Sequence, residues 1–282
     1  MFNCEIAKKK YEWFANKYNI DIAIETGTNK GLGALNLSIH HDIVITCEVE
    51  DKYFEWSSRE FTREVPQWED PDIPIFTLES TFNTLHNNLL VNLYQKDNKK
   101  IYMIKGSSEV VLDDVLNGGL GFDVNQSLLF YLDAHWNEYW PLEDELKLIK
   151  KYNLSDSKII IHDFYVPGFT ERIVDEDGIT HFIWGCDKYN NQNLDFDYVK
   201  DLLFDINPGM LSYFADDVVY NNSGRGILYS VPIEEQNFNE YLEYNRGIPC
   251  IEINSEYYSD EDIESSRIQK FKYKKLTKGI DY

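Results

Sequence analysis

Cysteine, methionine and proline are scarce in this chain of 282 residues, at 4, 3 and 8 copies. The cysteines, Cys4, Cys47, Cys186 and Cys250, lie far apart and form no C-x-x-C pair, which excludes a cysteine zinc cluster and a dense disulfide framework. A reducing compartment is expected. Long apolar runs are missing too: no stretch approaches the ~20 residues that a membrane helix needs. The segment Met1 to Lys10 lacks the apolar centre of a secretory leader. The expectation is therefore a cytoplasmic protein with no membrane partner. Positive charge is the last shortage. Lys plus Arg number 27 against 49 Asp plus Glu, a formal charge of −22, and a field of that sign repels phosphate backbones and anionic lipid. Nucleic acid is not an expected partner. The acids are scattered rather than blocked, as on a solvated surface.

What is present is a series of short apolar, β-branched runs alternating with helical patterns, in a chain long enough for one large α/β domain with additions. Ile22 to Thr26 reads as a buried strand, Gly27 to Gly33 as a glycine turn opening a helix that runs from Lys30 to about His40, and Ile43 to Val49 as a second strand ending in acids. Tyr11, Phe14 and Tyr18 share a face of a helix over 5–18, and Asp51 to about Arg63 forms another. Strands three, four and five are Ile101 to Lys105, Leu128 to Leu132 and Lys158 to Asp163. Pro141 to Lys151 is a helix with acids early, lysines late and Glu143 four residues before Lys147. Phe196, Val199, Leu203 and Ile206 mark one more, ended by Asn207-Pro208-Gly209. Leu211 to Ala215 and Gly226 to Val231 form a hairpin around Asn221 to Gly226.

The predicted fold is α/β and doubly wound, a mostly parallel seven-stranded sheet with an antiparallel edge hairpin. The core domain spans 1–232, with an insertion over about 64–100 where Pro66, Pro71 and Pro74 precede a helical spacing of Leu85, Leu89, Leu90 and Leu93. For 233–282 two readings stand: an extension that packs on a partner subunit, making a homo-oligomer, and a partly disordered tail.

In open parallel sheets ligands bind beyond the carboxyl ends of the strands. The polar residues there are Glu25, Gly27 and Thr28; Glu48 and Glu50; Ser107 and Ser108; Asp133 and His135; His162 and Asp163. Free amides at a helix start beside an acid on the next strand suit a ligand carrying a ribose. A carboxylate accepts two hydrogen bonds from a diol, which nominates Glu48, with Glu50 as fallback and helix capping as the alternative role. Gly27 either admits the ligand closely or simply makes the turn. The spacing rules out two other nucleotide sites. After Gly27 come three residues, Gly31, one residue and Gly33, which is not G-x-G-x-x-G; the fifth position after Gly27 is Leu32, where a P-loop has glycine.

What remains, Glu25-x-Gly27-x-x-x-Gly31 after an apolar strand with an acid near the end of the next, resembles the opening motif of class I S-adenosylmethionine-dependent methyltransferases. Leu132-Asp133-Ala134-His135 and Ile161-His162-Asp163 resemble the I-D-x-x-H and h-D sites of the branch related to macrolide-sugar O-methyltransferases, some of which bind a divalent metal. Here the spacing after the first Asp is one residue shorter, and His162 stands where that pattern often has an acid. The resemblance covers roughly residues 18 to 231. It implies S-adenosylmethionine held by Glu25, Gly27, Thr28, Glu48, Ser107, Ser108 and Asp133, with Ser107 at a position, often Asp, near the adenine. It also implies transfer to a hydroxyl of a small molecule or a sugar or glycan precursor.

Neutral oxygen is a poor nucleophile toward a sulfonium carbon, so the hydroxyl must lose its proton as the bond forms. Two routes fit: Mg²⁺ or Mn²⁺ on Asp133, Asp163 and His162, or a general base drawn from Asp133 and His135, with His162 beside them. Trp136, Tyr139 and Trp140 are placed to wall the acceptor, or to pack the start of the Pro141 helix. Arg225 suits an acidic acceptor group, or solvent. Two other readings stay open: a metal-dependent enzyme of different chemistry on the same fold, and a non-catalytic domain that binds the cofactor or a partner.

Overall fold

The structure, a computed structural model, describes residues 5–64, 73–123, 125–134, 139–165, 172–174, 180–182, 188–189, 192–219, 223–232, 251–254 and 256–257. The chain runs α1 (Glu5–Tyr18), β1 (Ile22–Thr26), α2 (Leu32–His40), β2 (Ile43–Glu48), α3 (Asp51–Phe61), β3 (Thr77–Asn83), β4 (Leu90–Lys96), β5 (Lys99–Lys105), α4 (Ser108–Leu116), β6 (Leu128–Leu132), α5 (Leu142–Lys151) and β7 (Lys158–Phe164). Four short strands follow, β8 (Arg172–Val174), β9 (Thr180–Phe182), β10 (Lys188–Tyr189) and β11 (Gln192–Asn193), then α6 (Phe196–Ile206), β12 (Met210–Val219), β13 (Ser223–Pro232) and β14 (Ile251–Ile253).

One sheet has the order β14-β12-β13-β7-β6-β1-β2-β5-β4-β3. Its centre, β7, β6, β1, β2 and β5, is parallel. Every residue of β1 and β6 is buried, as expected of strands covered on both faces. Alternate side chains go to opposite layers. Ala23, Val44, Tyr131 and Ile160 pack with Tyr11 and Phe14 of α1, Leu35 of α2 and Phe61 of α3. Ile24, Ile45, Phe130 and Ile159 pack with Val111 of α4, Leu146 and Ile149 of α5 and Leu203 of α6. The doubly wound parallel core and the antiparallel hairpin β12–β13, lying against β7, match the expected fold class.

The sheet departs from the expected seven strands by having ten among the described residues. β14 adds to the β12 edge, and β3 and β4 extend the other edge beyond β5. The leucine spacing over 85–93 is therefore not a helix. Lys96 and Lys99 pair directly across Asp97-Asn98, with Asp97 in the left-handed region at φ 54°, so β4 folds straight back on β5 and satisfies its main-chain edge. Val91 and Tyr94 are buried, whereas Leu85 is 84% exposed in the connection to β3. Helix α4, which follows β5, has no counterpart in the sequence reading. Among the described residues no helix is long and apolar enough to cross a membrane.

The end of α2 holds a buried histidine. His41 Nδ1 lies 3.2 Å from the Ile20 carbonyl and Nε2 lies 2.5 Å from the Tyr11 hydroxyl. A carbonyl only accepts, so the network assigns the proton to Nδ1 and leaves Nε2 to accept from Tyr11. Burial pushes His41 down from 6.5 to about 4. The unfolded chain thus binds more protons across that window, and stability is lost as pH falls from 6.5 toward 4, by about 3 kcal/mol at the bottom. Urea melts of the wild type and His41→Asn from pH 7 to pH 4 test this. The wild type is expected to lose stability more steeply, and parallel curves would rule out His41 as the source.

Candidate active site

Thr26 at the end of β1 pairs with Cys47 of β2 and with Leu132 of β6, which pairs in turn with Ile161 of β7. One step further along each strand stand Glu48, Gly27, Asp133 and His162, in a row across the carboxyl ends of four adjacent parallel strands. With strands about 4.8 Å apart, Glu48 and Asp133 are about 10 Å apart across the sheet, with Gly27 between them. Gly27 has φ 81°, and a Cβ there would lie 2.7 Å from the Asp133 carbonyl oxygen. Backbone conformation and backbone proximity both demand glycine, and the middle of the row carries no side chain.

Glu48 is 7% exposed, and its two oxygens each accept one amide hydrogen, Oε2 from Asn29 and Oε1 from Glu50, both at 2.8 Å. A carboxylate oxygen has two lone pairs, so the group is oriented and still able to accept. Burial raises its pKa, against the lowering effect of the Glu50, Asn29 and Val49 amides. Glu50 is the residue that heads α3, without a side-chain cap bond.

Glu25 and Thr28 turn inward. Glu25 is 2% exposed and accepts from the Thr46 hydroxyl at 2.6 Å; Thr46 in turn lies 2.5 Å from the Thr28 hydroxyl. The Thr28 amide donates to the Cys47 carbonyl at 2.9 Å. The other glycines of the motif serve this interior. A Cβ on Gly33 would sit 1.7 Å from Glu25 Oε1, and one on Gly31, at φ 85°, would sit 2.7 Å from the Phe61 ring. Burial pushes the Glu25 carboxyl up to about 8, with the Thr46 hydrogen bond opposing.

Ser107 heads α4 with no side-chain cap bond, and Ser108 is buried. Ser108 Oγ, Glu109 Oε2 and Glu145 Oε1 are buried oxygens without a hydrogen-bond partner among the described residues. Burial pushes Glu145 up to about 7. The Ser108 and Thr26 hydroxyls lower it, while Glu109 and Asp133 raise it. Ser108 therefore biases Glu145 electrostatically although its Oγ stands outside good hydrogen-bond geometry. Sequence reasoning missed Glu109 and Glu145. Glu145 carried a legible signal, because it falls on the stripe Leu142, Leu146 and Ile149, all buried, where an acid has no ordinary place.

At the end of β6 the Asp133 amide donates to the Thr26 carbonyl and hydroxyl oxygens, both at 3.2 Å. His162 Nδ1 lies 3.1 Å from Asp133 Oδ1 and 3.4 Å from Asp163 Oδ1. Successive strand residues normally point to opposite faces. His162 and Asp163 converge because Asp163 is left-handed, at φ 55°, where the pairing with β13 slips between Gly226 and Leu228. Burial disfavours charge on His162, but the carboxylates of Asp133 and Asp163 outweigh it and push the imidazole up to about 10. The donor atoms of the three residues lie within 4.8 Å of one another. Ligands bound at about 2.1 Å and at right angles around one ion are about 3 Å apart, so the set fits a divalent cation.

Trp140 is buried, its ring 5.3 Å from that of Tyr198, and so packs the start of α5, whereas Tyr139 is half exposed. His135 and Trp136 lie outside the described residues, as does the side chain of Arg225.

No protein-family model matches this chain, and no curated protein does. Among solved structures the chain is similar to an O-methyltransferase from Bacillus cereus in complex with SAH, at 12% identity over 81% of each chain and a TM-score of 0.46. It is similar to the O-methyltransferase TomG from Streptomyces achromogenes, involved in tomaymycin synthesis and in complex with SAM, at 11% identity, covering 81% of this chain and 80% of that one with a TM-score of 0.44. It is also similar to an rRNA methylase from Streptococcus thermophilus, at 10% identity, covering 80% and 95% with a TM-score of 0.40. At such values the function has to come from the residues of the site.

Proposed function

We propose that this chain is an S-adenosylmethionine-dependent O-methyltransferase acting on a hydroxyl of a small molecule or of a sugar or glycan precursor. The row Glu48, Gly27, Asp133 and His162 carries the reading. It sets a diol acceptor about 10 Å from an acid and imidazole cluster, with a bare glycine between. Glu48, oriented by the Asn29 and Glu50 amides, would hold the cofactor's ribose. The cofactor's base would lie toward β5, beside the uncapped amides at the start of α4. Gly27, which carries no side chain, would leave room for its sulfonium end beside Asp133. Glu25 and Thr28 support this surface from beneath.

In the reaction the acceptor oxygen attacks the methyl carbon as the carbon–sulfur bond breaks, giving a methyl ether, a thioether and one proton. Asp133, at the end of β6 and 3.1 Å from His162 Nδ1, would take that proton. A divalent ion, Mg²⁺ or Mn²⁺, would be held by Asp133, His162 and Asp163, and when bound lowers the pKa of a hydroxyl beside it. The core domain of this reading is 1–232. Ile251–Ile253 brings part of the extension 233–282 onto the sheet through β12. A cytoplasmic location belongs to the same reading. A metal-dependent enzyme of other chemistry would use the Asp133 cluster and leave Glu48 idle.

Glu48→Ala is expected to weaken SAH binding by about 1.5 to 3 kcal/mol, a ten- to hundredfold rise in Kd, with near-UV circular dichroism unchanged. Isothermal calorimetry checks this. An unchanged Kd would move the diol contact to Glu50, and a wild type that ignores millimolar SAH would end the proposal.

A further inference from the structure

We propose that Asp133, His162 and Asp163 select a borderline first-row transition ion over Mg²⁺, with His162 Nδ1 as the donor that decides the choice. This rests on the divalent-ion part of the proposed function and is independent of methyl transfer.

The donor set is mixed. Mg²⁺ sheds its water reluctantly and takes oxygen donors, whereas imidazole nitrogen suits the later first-row ions. The geometry puts the nitrogen inside the set. An imidazole that merely orients a ligand from behind faces one carboxylate with one nitrogen. His162 Nδ1 faces two carboxylate oxygens, at 3.1 and 3.4 Å, the separations of neighbouring donors around one centre. The backbone enforces this arrangement, because the left-handed step at Asp163 brings two consecutive side chains of β7 to the same side. The charge agrees as well. A bound ion would displace the proton from Nδ1, and two carboxylates with the neutral imidazole then balance a divalent charge, while a third acid at position 162 would leave the centre negative and favour a harder cation. All three side chains are partly exposed, so an ion reaches them from solvent.

The test uses the full chain freed of metal with a chelator and titrated by calorimetry with MgCl₂ and with CoCl₂. One Co²⁺ per chain is expected, bound about a hundredfold more tightly than Mg²⁺, and His162→Asp is expected to shrink that ratio by about tenfold or more while Mg²⁺ binding persists. Should His162→Asp fail to fold, pulsed electron paramagnetic resonance of the wild type loaded with MnCl₂ still decides, because an imidazole in the set gives a directly bound ¹⁴N coupling. Mg²⁺ binding as tight as Co²⁺, a variant that keeps the wild-type ratio, or a spectrum without that coupling would each overturn the preference. If neither ion binds, the ion site itself falls, and SAH calorimetry reports separately on the nucleoside.

Discussion

Asp133→Asn is expected to lower turnover by about 10²- to 10⁴-fold while the Kd for SAH stays within about twofold. The two effects separate because Asp133 does two jobs with different atoms. Its backbone carbonyl fills the space where a side chain on Gly27 would go, and its amide is tied to Thr26, so the floor beneath the proposed cofactor is made of main chain. Asparagine keeps all of that. Its side-chain oxygen also accepts from His162 Nδ1 as the carboxylate does at 3.1 Å, so the local shape persists. What goes is the charge that, in the proposed reaction, would take the acceptor's proton and help hold an ion. Transfer of labelled methyl from S-adenosylmethionine to a panel of hydroxylated sugars and phenols measures the rate, and calorimetry measures the Kd. Undiminished transfer would remove Asp133 from the chemistry. A Kd weakened as much as the rate would make it a cofactor contact instead.

Glu25→Gln is expected to gain stability relative to the wild type as the solution becomes alkaline. Burial raises the Glu25 carboxyl from 4.5 to about 8, so between these values the unfolded chain has released a proton that the folded chain retains. Stability therefore falls as pH rises through the window, by as much as about 5 kcal/mol if the whole shift is realised. Glutamine has the shape of the protonated acid and still accepts from Thr46, while its amino group faces the Ala34 amide that also donates to the carboxyl, a cost that does not change with pH. Urea melts of both proteins at pH 5.5, 7 and 8.5 should give a difference that widens at each step. Glu145, raised to about 7, contributes a similar slope, but it is present in both proteins and cancels in the difference. A gap that stays constant across the three pH values would mean that Glu25 is charged in the folded state and that the wall around it is more polar than its contacts indicate.

Local chemistry explains which parts of this molecule could be read before folding. The parallel core was legible because runs such as Leu128 to Leu132 must be covered on both faces, and the ends of such strands converge whatever the loops do. The place of Glu48, Asp133, His162 and Asp163 at neighbouring strand ends is legible for the same reason. Glu25 was read as a cofactor contact, yet its side chain points under α2. A motif conveys spacing along the chain but not that the room left by Gly33 belongs to this acid. The β3–β4 hairpin was misread because leucines at helical spacing carry no mark of the open edge of β5 that recruits them. The orphaned oxygens of Ser108, Glu109 and Glu145 were invisible as a group, since they meet only when α4 and α5 pack together.

The left-handed step in β7 narrows which residues one position admits. Residue 163 has to be short enough to tolerate φ 55° and anionic enough to complete its cluster. Glycine and asparagine meet the first demand without the second. Glutamate, the nearest acid by chemistry, meets the second at a conformational cost of about 1–2 kcal/mol and with its carboxylate one methylene too far out. Only aspartate answers both, so a swap that looks conservative on paper would dismantle the cluster here.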